Sequence, residues 1–153
     1  MQIFKEIISN EFLIVPVIAW AVSQIVKMII AAVKDRTFSI KQITKEGGMP
    51  SAHSATVASL MVVIGFFEGF DSAAFAAAFI LCAIVLRDAT GVRLETGKQS
   101  KVIKTLADAA EKNDGIETGA DKLKLGGGHT SLEVFAGCAV GILVAIAYIL
   151  IFA

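Results

Sequence analysis

Two histidines are the side chains best suited to chemistry, because each stands at the start of an apolar helix predicted from the sequence. His53 follows residues 47–52 (GGMPSA), and His129 follows residues 126–128 (GGG). Glycine and proline end the preceding structure, and Ser51 is a good helix cap. A helix start offers unpaired backbone N–H groups and a positive dipole end, so it favours an anion such as phosphate. Each histidine could exchange a proton there, although either stretch alone also fits an ordinary capped helix.

Glu133 lies four residues after His129, so both side chains fall on one helix face. The carboxylate can accept a hydrogen bond from the imidazole, fix its tautomer and leave the other ring nitrogen able to attack or to accept a proton. Cationic side chains at the ends of other apolar runs complete the set: Lys27, Lys34, Arg87 and Arg93. Lys27 and Lys34 are seven residues apart and share one helix face.

These residue types favour phosphoryl transfer. One histidine can act as the nucleophile and the other as the general acid, while cations and helix starts stabilise the phosphoryl oxygens. Two histidines with a carboxylate could instead hold zinc or iron. That alternative is weaker because Lys27 and Arg93 would add positive charge beside a cation. We therefore expect neither a metal nor another cofactor.

The composition is that of a membrane protein. Of the 153 residues 56% are hydrophobic and only 18% are charged, and the mean hydropathy is +0.73. The formal net charge is zero, so nothing in it indicates a nucleic-acid partner. Cys82 and Cys138 lie inside apolar runs, where we expect them to pack as small hydrophobic residues. Charged residues interrupt the first segment, so we expect no signal peptide and a retained N-terminus.

The predicted fold is all-α: an integral membrane helical bundle with four transmembrane helices in one domain, residues 1–153. The spans are predicted at about 12–33, 50–70, 72–93 and 130–153. A polar insertion, 94–128, is predicted to contain an amphipathic interfacial helix at about 98–112, and residues 1–11 a short surface helix. The second and third spans have uncharged cores of only 14 and 15 residues. They reach bilayer length only with their polar ends, which must then face protein or water.

Alternating spans place both histidines, their flanking residues and the four cations at one face of the membrane. The connections at this face contain Lys34, Arg36, Lys41, Lys45 and eight further lysines or arginines between Arg87 and Lys124, against Lys5 alone on the other side. By the positive-inside rule this face is cytoplasmic and both termini are outside. We expect a plasma membrane of the bacterial type.

At this point the motifs resemble a known family. Pro50-Ser51-Ala52-His53 and the segment from His129 to Gly137 resemble the second and third motifs of the type 2 phosphatidic acid phosphatase (PAP2) superfamily, which includes vanadium haloperoxidases. Lys27 with Lys34 resembles the first motif. Together with residues 88–93 (DATGVR) the motifs resemble most closely the divergent branch of that superfamily, over nearly the whole chain.

The resemblance implies a role for each matching residue. His129 would be the nucleophile that forms a phosphohistidine, Glu133 its orienting partner, and His53 the acid that protonates the leaving oxygen. The phosphoryl oxygens would be held by Lys27, Lys34, Arg93, Ser51 and the backbone near Ala52, with Arg87 as the rival of Arg93. The resemblance assigns no role to Asp88, for which we expect a structural salt bridge with Lys27 or Arg93 rather than a catalytic role. Glutamate stands where the family has aspartate, lysine replaces the first-motif arginine, and alanine replaces a second-motif glycine.

The expected function is a membrane phosphatase acting on a lipid or polyprenyl phosphate or diphosphate, with membrane lipids as its surroundings. Integral members of the superfamily usually have six spans, so the resemblance also implies a homodimer or higher homo-oligomer. Two other classes remain open. One is a protein that binds or translocates an anionic lipid in the same basic pocket, and the other is a structural membrane subunit that would tolerate apolar replacements at its span ends.

Overall fold

The computed structural model describes residues 1–35, 48–114, 118–119 and 127–153, apart from the side chains of residues 34, 35 and 114. All regular structure in these ranges is helical, which confirms the all-α prediction. The helices in chain order are α1 (Gln2–Ile8), α2 (Glu11–Asp35), α3 (Ala52–Glu68), α4 (Ala73–Thr90), α5 (Val92–Asp114) and α6 (Ser131–Phe152).

The described ranges contain three candidate membrane-spanning segments. These are Glu11–Val33, the continuous helical run Ala73–Asn113 that covers α4 and α5, and Ser131–Phe152. Helix α3 has 17 residues, which at 1.5 Å per residue is about 26 Å, a little less than the roughly 30 Å of a bilayer core. Four transmembrane helices are therefore not confirmed, and a crossing by α3 stays a prediction.

Helix α3 is the centre of the bundle, since it packs against α2, α4 and α6. Its buried side chains are small apart from Val63: Ala52, Ser54, Ala55, Ala58 and Ser59. Small residues let helix backbones approach closely in a membrane, where dispersion contacts drive association. On α6, a Cβ at Gly137 or Gly141 would overlap the carbonyl oxygen of Ser51 or Ala55. The close approach of α6 to the start of α3 thus requires glycine at both positions.

The outer faces of the bundle are apolar. Large side chains such as Phe79 and Ile80 on α4 and Leu143 and Leu150 on α6 are exposed, whereas the fully buried core is small and centred on Val15, Val63 and Ala145. This pattern is that of helices solvated by lipid rather than by water. The chain is therefore a membrane protein with several apolar helices.

Helix α5 begins earlier than the hydrophobic periodicity predicted. The periodic residues start near 98, but the chain resumes helical structure at Val92, directly after Gly91 ends α4. Its apolar residues Val102, Ile103 and Leu106 are exposed, and α4 is the one described helix that it packs against. Near its end, Thr118 donates hydrogen bonds from its hydroxyl and backbone N–H to Glu111.

Candidate functional site

A cavity of about 480 Å³ lies where α3 and α6 begin and α4 ends. The described residues that line it come from distant parts of the chain: His53, Ile84, Val85, Asp88, Ala89, Arg93, Gly127 and His129. The structure thus brings the two sequence-predicted histidines to one cavity, together with a cation and a carboxylate. Ile84 and Val85 of α4 give the cavity an apolar stretch of wall.

His129 is held by the N-terminus of α6. Its Nδ1 lies 3.1 Å from Glu133 Oε2, as the spacing of four residues predicts. The same carboxylate oxygen accepts the backbone N–H of Thr130 at 3.1 Å, and the Thr130 hydroxyl accepts the backbone N–H of Glu133. These bonds form a capping box that fixes the carboxylate. Because an ionised carboxylate only accepts hydrogen bonds, this contact favours the neutral tautomer that carries its proton on Nδ1 and leaves the Nε2 lone pair available.

The backbone of His129 is also fixed. Its N–H donates to the Ala89 carbonyl at 3.1 Å, which joins the start of α6 to the last turn of α4. The preceding Gly128 lies so close to the backbone of Arg93 and Leu94 that a Cβ there would overlap it. His129 is therefore docked onto the α4–α5 junction, and its side chain is only 12% exposed.

The start of α3 carries His53 on its exposed side and Ser51 on its buried side. The Ser51 N–H donates to the Glu133 carbonyl at 3.0 Å, so this helix start is tied to α6. Ser51 Oγ accepts from the N–H and hydroxyl of Ser54, and both serines are fully buried. The predicted phosphate ligand Ser51 thus uses its side chain as the cap of α3. Ala52 follows it as the first residue of the helix.

The predicted cations occupy different places. Arg93 lines the cavity, and its Nε donates to Asp88 Oδ2 at 2.5 Å, so Arg93 is a partner of Asp88. Arg87 is exposed, its Nε lies beside Gly91, and it is not among the described lining residues. Position therefore favours Arg93 over Arg87 as the cation of the cavity.

The two lysines come from α2. The Lys27 side chain extends to the segment before α3, where a Cβ at Gly48 would be 3.1 Å from Lys27 Cε and 3.9 Å from its Nζ. Gly48 has a φ of +93°, so it also needs glycine for its backbone conformation. Lys27 thus lies near the start of α3 but is not among the described residues that line the cavity. The side chain of Lys34 lies outside the described residues.

Sequence reasoning missed two features of this end of the bundle. Gln24, one turn before Lys27 on α2, has a buried Oε1 with no hydrogen-bond partner among the described residues. A polar amide inside an apolar span was the signal that could have drawn attention to it. Ile84 and Val85 are also part of the cavity, but nothing distinguishes them in sequence from the other apolar residues of α4.

No group of three or more histidine, cysteine, aspartate or glutamate side chains in the described ranges is arranged to hold a metal ion. The zinc or iron alternative thus finds no ligand set in that part of the chain. The polar groups that converge are two imidazoles, one carboxylate paired with a guanidinium, and two helix starts, a combination suited to an anionic guest.

Comparison with known proteins agrees with the resemblance seen in the motifs. A family model described as "Divergent PAP2 family" matches residues 8–144, which include the described cavity residues and Lys27. The chain is similar to "Uncharacterized membrane protein YuiD" of Bacillus subtilis (strain 168), with 35% identity over 152 residues that cover 90% of this chain and 93% of the relative. No solved structure matches the chain.

Proposed function

The chain belongs to the divergent PAP2 family, and from that premise we propose that it is a membrane phosphatase acting on a lipid or polyprenyl phosphate or diphosphate through a phosphohistidine intermediate. One observation carries this proposal: both histidines of the chain line the same cavity, and one of them has its Nδ1 held by a capped carboxylate. A nucleophile and a proton donor are the two groups that this reaction requires.

In the first step, the Nε2 lone pair of His129 attacks phosphorus. A P–N bond forms, the bond between phosphorus and the leaving oxygen breaks, and that oxygen takes a proton from the His53 imidazolium. Glu133 stabilises the positive charge that develops on His129. Arg93 and the start of α3 at Ala52 stabilise the phosphoryl oxygens, with Lys27 adding positive potential from behind Gly48.

In the second step, neutral His53 takes a proton from water while the water oxygen attacks phosphorus. The P–N bond breaks, orthophosphate is released, and both histidines return to their starting protonation states. His53 therefore serves as acid in one direction and base in the other, as a general acid–base catalyst must when a covalent intermediate forms and is resolved.

The position of the cavity supports a lipid substrate. It lies at the polar ends of apolar helices, so a phosphate group could bind at headgroup level while the tail follows the apolar wall of α4. The charge distribution over the loops supports a cytoplasmic location for this face in a bacterial plasma membrane.

We test the proposal with purified protein in lipid nanodiscs and a panel of lipid and polyprenyl phosphates and diphosphates, measuring orthophosphate release. His129→Ala is expected to abolish turnover and His53→Ala to lower it by roughly 10² to 10⁴, the usual contribution of a general acid. The chain has two histidines, so acid-labile ³²P retained by His53→Ala and absent from His129→Ala would identify the nucleophile.

An alternative outcome points to another class of protein. If the wild type and both histidine variants bind the anionic lipids with equal affinity and none releases phosphate, the cavity is a site for binding or translocation. That result would contradict the phosphatase proposal, because the histidines would then contribute neither to turnover nor to affinity.

We also propose that the protein works as a homodimer or a larger homo-oligomer. The described residues hold three candidate spans and one shorter apolar helix, fewer than the six spans that integral PAP2 proteins usually have. The exposed apolar faces of α4 and α6 offer surface for helix association. Crosslinking in native membranes is expected to trap dimers or larger species. A crosslink-free monomer with full activity would contradict this.

A further inference from the structure

Asp88 is a charged residue in the cavity wall to which the phosphatase proposal gives no step. It lies in the last turn of α4, and its partner Arg93 is the second residue of α5, so their ion pair bridges the break at Gly91. Both line the cavity beside His129. Asp88 is 39% exposed and Arg93 61%, an exposure at which ion pairs add little to folding stability. A role in stability alone therefore gives a weak account of this pair.

We propose that Asp88 is a positioning residue that orients the Arg93 guanidinium toward an anionic guest and, by its own negative charge, limits how tightly that guest is held. This inference rests on the proposed function only in taking a phosphoryl group as the guest. Asp88 then has two opposite effects on phosphate affinity: it raises the affinity by orienting Arg93 and lowers it by its negative charge.

The geometric effect follows from the donors of Arg93. A guanidinium has five N–H donors in one plane, and the ion pair with Asp88 uses the one on Nε. Fixing Nε fixes that plane. The terminal nitrogens can then donate two parallel hydrogen bonds to phosphoryl oxygens, the arrangement for which arginine is best suited. Without Asp88, Arg93 would lose rotamer order at a site that is mostly exposed, and its contacts with the guest would weaken.

The charge effect follows from the position of the carboxylate. Asp88 lies in the wall of the cavity that receives the phosphoryl group, so its charge repels the guest. This repulsion would weaken retention of the orthophosphate product. Replacing Asp88 with Asn keeps an oxygen acceptor for Nε but removes the charge, whereas replacing it with Ala removes both. The two variants separate the two effects.

The experiment measures the affinity of full-length protein in detergent for inorganic orthophosphate, from the ligand-dependent rise in melting temperature. Relative to wild type, Asp88→Asn is expected to bind orthophosphate about threefold to tenfold more tightly, since a repulsive charge is lost. Asp88→Ala is expected to bind it about tenfold more weakly, since Arg93 is no longer oriented. A purely structural role would move both affinities in the same direction.

Glu95 supplies a matched control. It forms an exposed ion pair with Lys98 at 2.7 Å on the same helix as Arg93 and is not among the described lining residues. Glu95→Gln removes the same unit of charge nearby, and we expect its orthophosphate affinity to stay within about twofold of wild type. Arg93→Lys is a second control, because lysine keeps the charge but lacks the planar fork. In that background, Asp88→Asn and Asp88→Ala should bind orthophosphate equally.

The inference is overturned if Asp88→Asn and Asp88→Ala shift the affinity in the same direction, if both match Glu95→Gln, or if wild-type protein binds no orthophosphate. Should Asp88→Ala fail to fold, Asp88→Ser takes its place, because a serine side chain also removes the charge and is too short to hold Nε. If wild type binds orthophosphate with the expected variant pattern but hydrolyses no ester, the proposed phosphatase activity fails while the role of Asp88 stands.

Discussion

At the residue scale, Glu133 has two functions at the start of α6. It completes the capping box that starts α6, and it holds Nδ1 of His129. The four-residue spacing was sufficient to predict the contact between the two side chains, because a helix brings residues i and i+4 together. The resemblance favoured Arg93 over Arg87, and the structure adds that Arg93 lines the cavity whereas Arg87 is not among the described lining residues.

Replacing Glu133 tests its action on the imidazole. Glu133→Gln is expected to lower turnover by roughly 10² or more, because a neutral amide stabilises the charged imidazole poorly and can hold the wrong tautomer. Thr130→Ala is the control, since it removes the cap of the same helix, at about 1 kcal/mol, without removing the carboxylate from His129. Rates of orthophosphate release and melting temperatures of both variants provide the measurement. Equal loss of turnover in the two would show that Glu133 matters only as part of the cap.

At the element scale, the apolar runs predicted the helices but not how closely they pack. The expected alternation of spans placed the starts of α3 and α6 and the end of α4 together, and the described cavity residues come from these ends. Three glycines then determine how close they come: Gly137 and Gly141 where α6 crosses α3, and Gly128 where His129 docks on the α4–α5 junction. The start of α5 at Val92 could not be predicted from periodicity, because its first turn carries Arg93 and Glu95 among the apolar residues.

Gly128→Ala tests the docking of His129. The added methyl group would overlap the backbone of Arg93 and Leu94 at the start of α5, so residues 127–129 must move away from the α4–α5 junction and the His129–Ala89 hydrogen bond must lengthen. We expect turnover to fall at least tenfold, since a displacement of about 1 Å at a reacting group has a large effect on rate. Gly141→Ala is the comparison: it disturbs α3–α6 packing by about 1 to 3 kcal/mol, away from the cavity, and should lower the melting temperature more than the rate. The reverse pattern would contradict this assignment.

The apolar residues of α4 that line the cavity predict that kcat/KM depends on the apolar tail of the substrate. Ile84 lines the cavity yet is 61% exposed, so this side of the cavity opens toward the lipid-facing surface. Ile84→Ser is expected to lower kcat/KM for a long-chain lipid phosphate about tenfold, because an apolar contact with the tail is lost. A water-soluble phosphate ester should be hydrolysed as before. Ile80→Ser, one turn away on α4 and not among the described lining residues, is the control. Equal effects on both substrates would place the tail elsewhere.

At the scale of the whole molecule, the two ends of the bundle differ in their charged residues and in their aromatic residues. In the sequence, lysines and arginines are concentrated in segments 34–46 and 87–124. The end of the bundle opposite the cavity holds the short turn between α3 and α4 with Glu68 and Asp71. Two aromatic pairs border that turn. Phe66 packs against Phe67 on α3, and Phe70 in the turn packs against Phe75 on α4. Aromatic rings of this kind are typical of the membrane–water interface. From the charge pattern and the positive-inside rule we expect one fixed orientation in the membrane.

That orientation can be measured with single cysteines in a chain whose Cys82 and Cys138 are replaced by Ala. Asp71→Cys lies in the turn opposite the cavity, and Gln99→Cys lies on exposed α5 at the cavity end. If the cavity end is cytoplasmic, a membrane-impermeant maleimide added to intact producing cells should label Asp71→Cys and leave Gln99→Cys unlabelled until the membrane is permeabilised. Labelling of Gln99→Cys in intact cells would place the cavity outside. Labelling of both would mean that the chain has no fixed orientation, and the charge difference between its ends would then need another explanation.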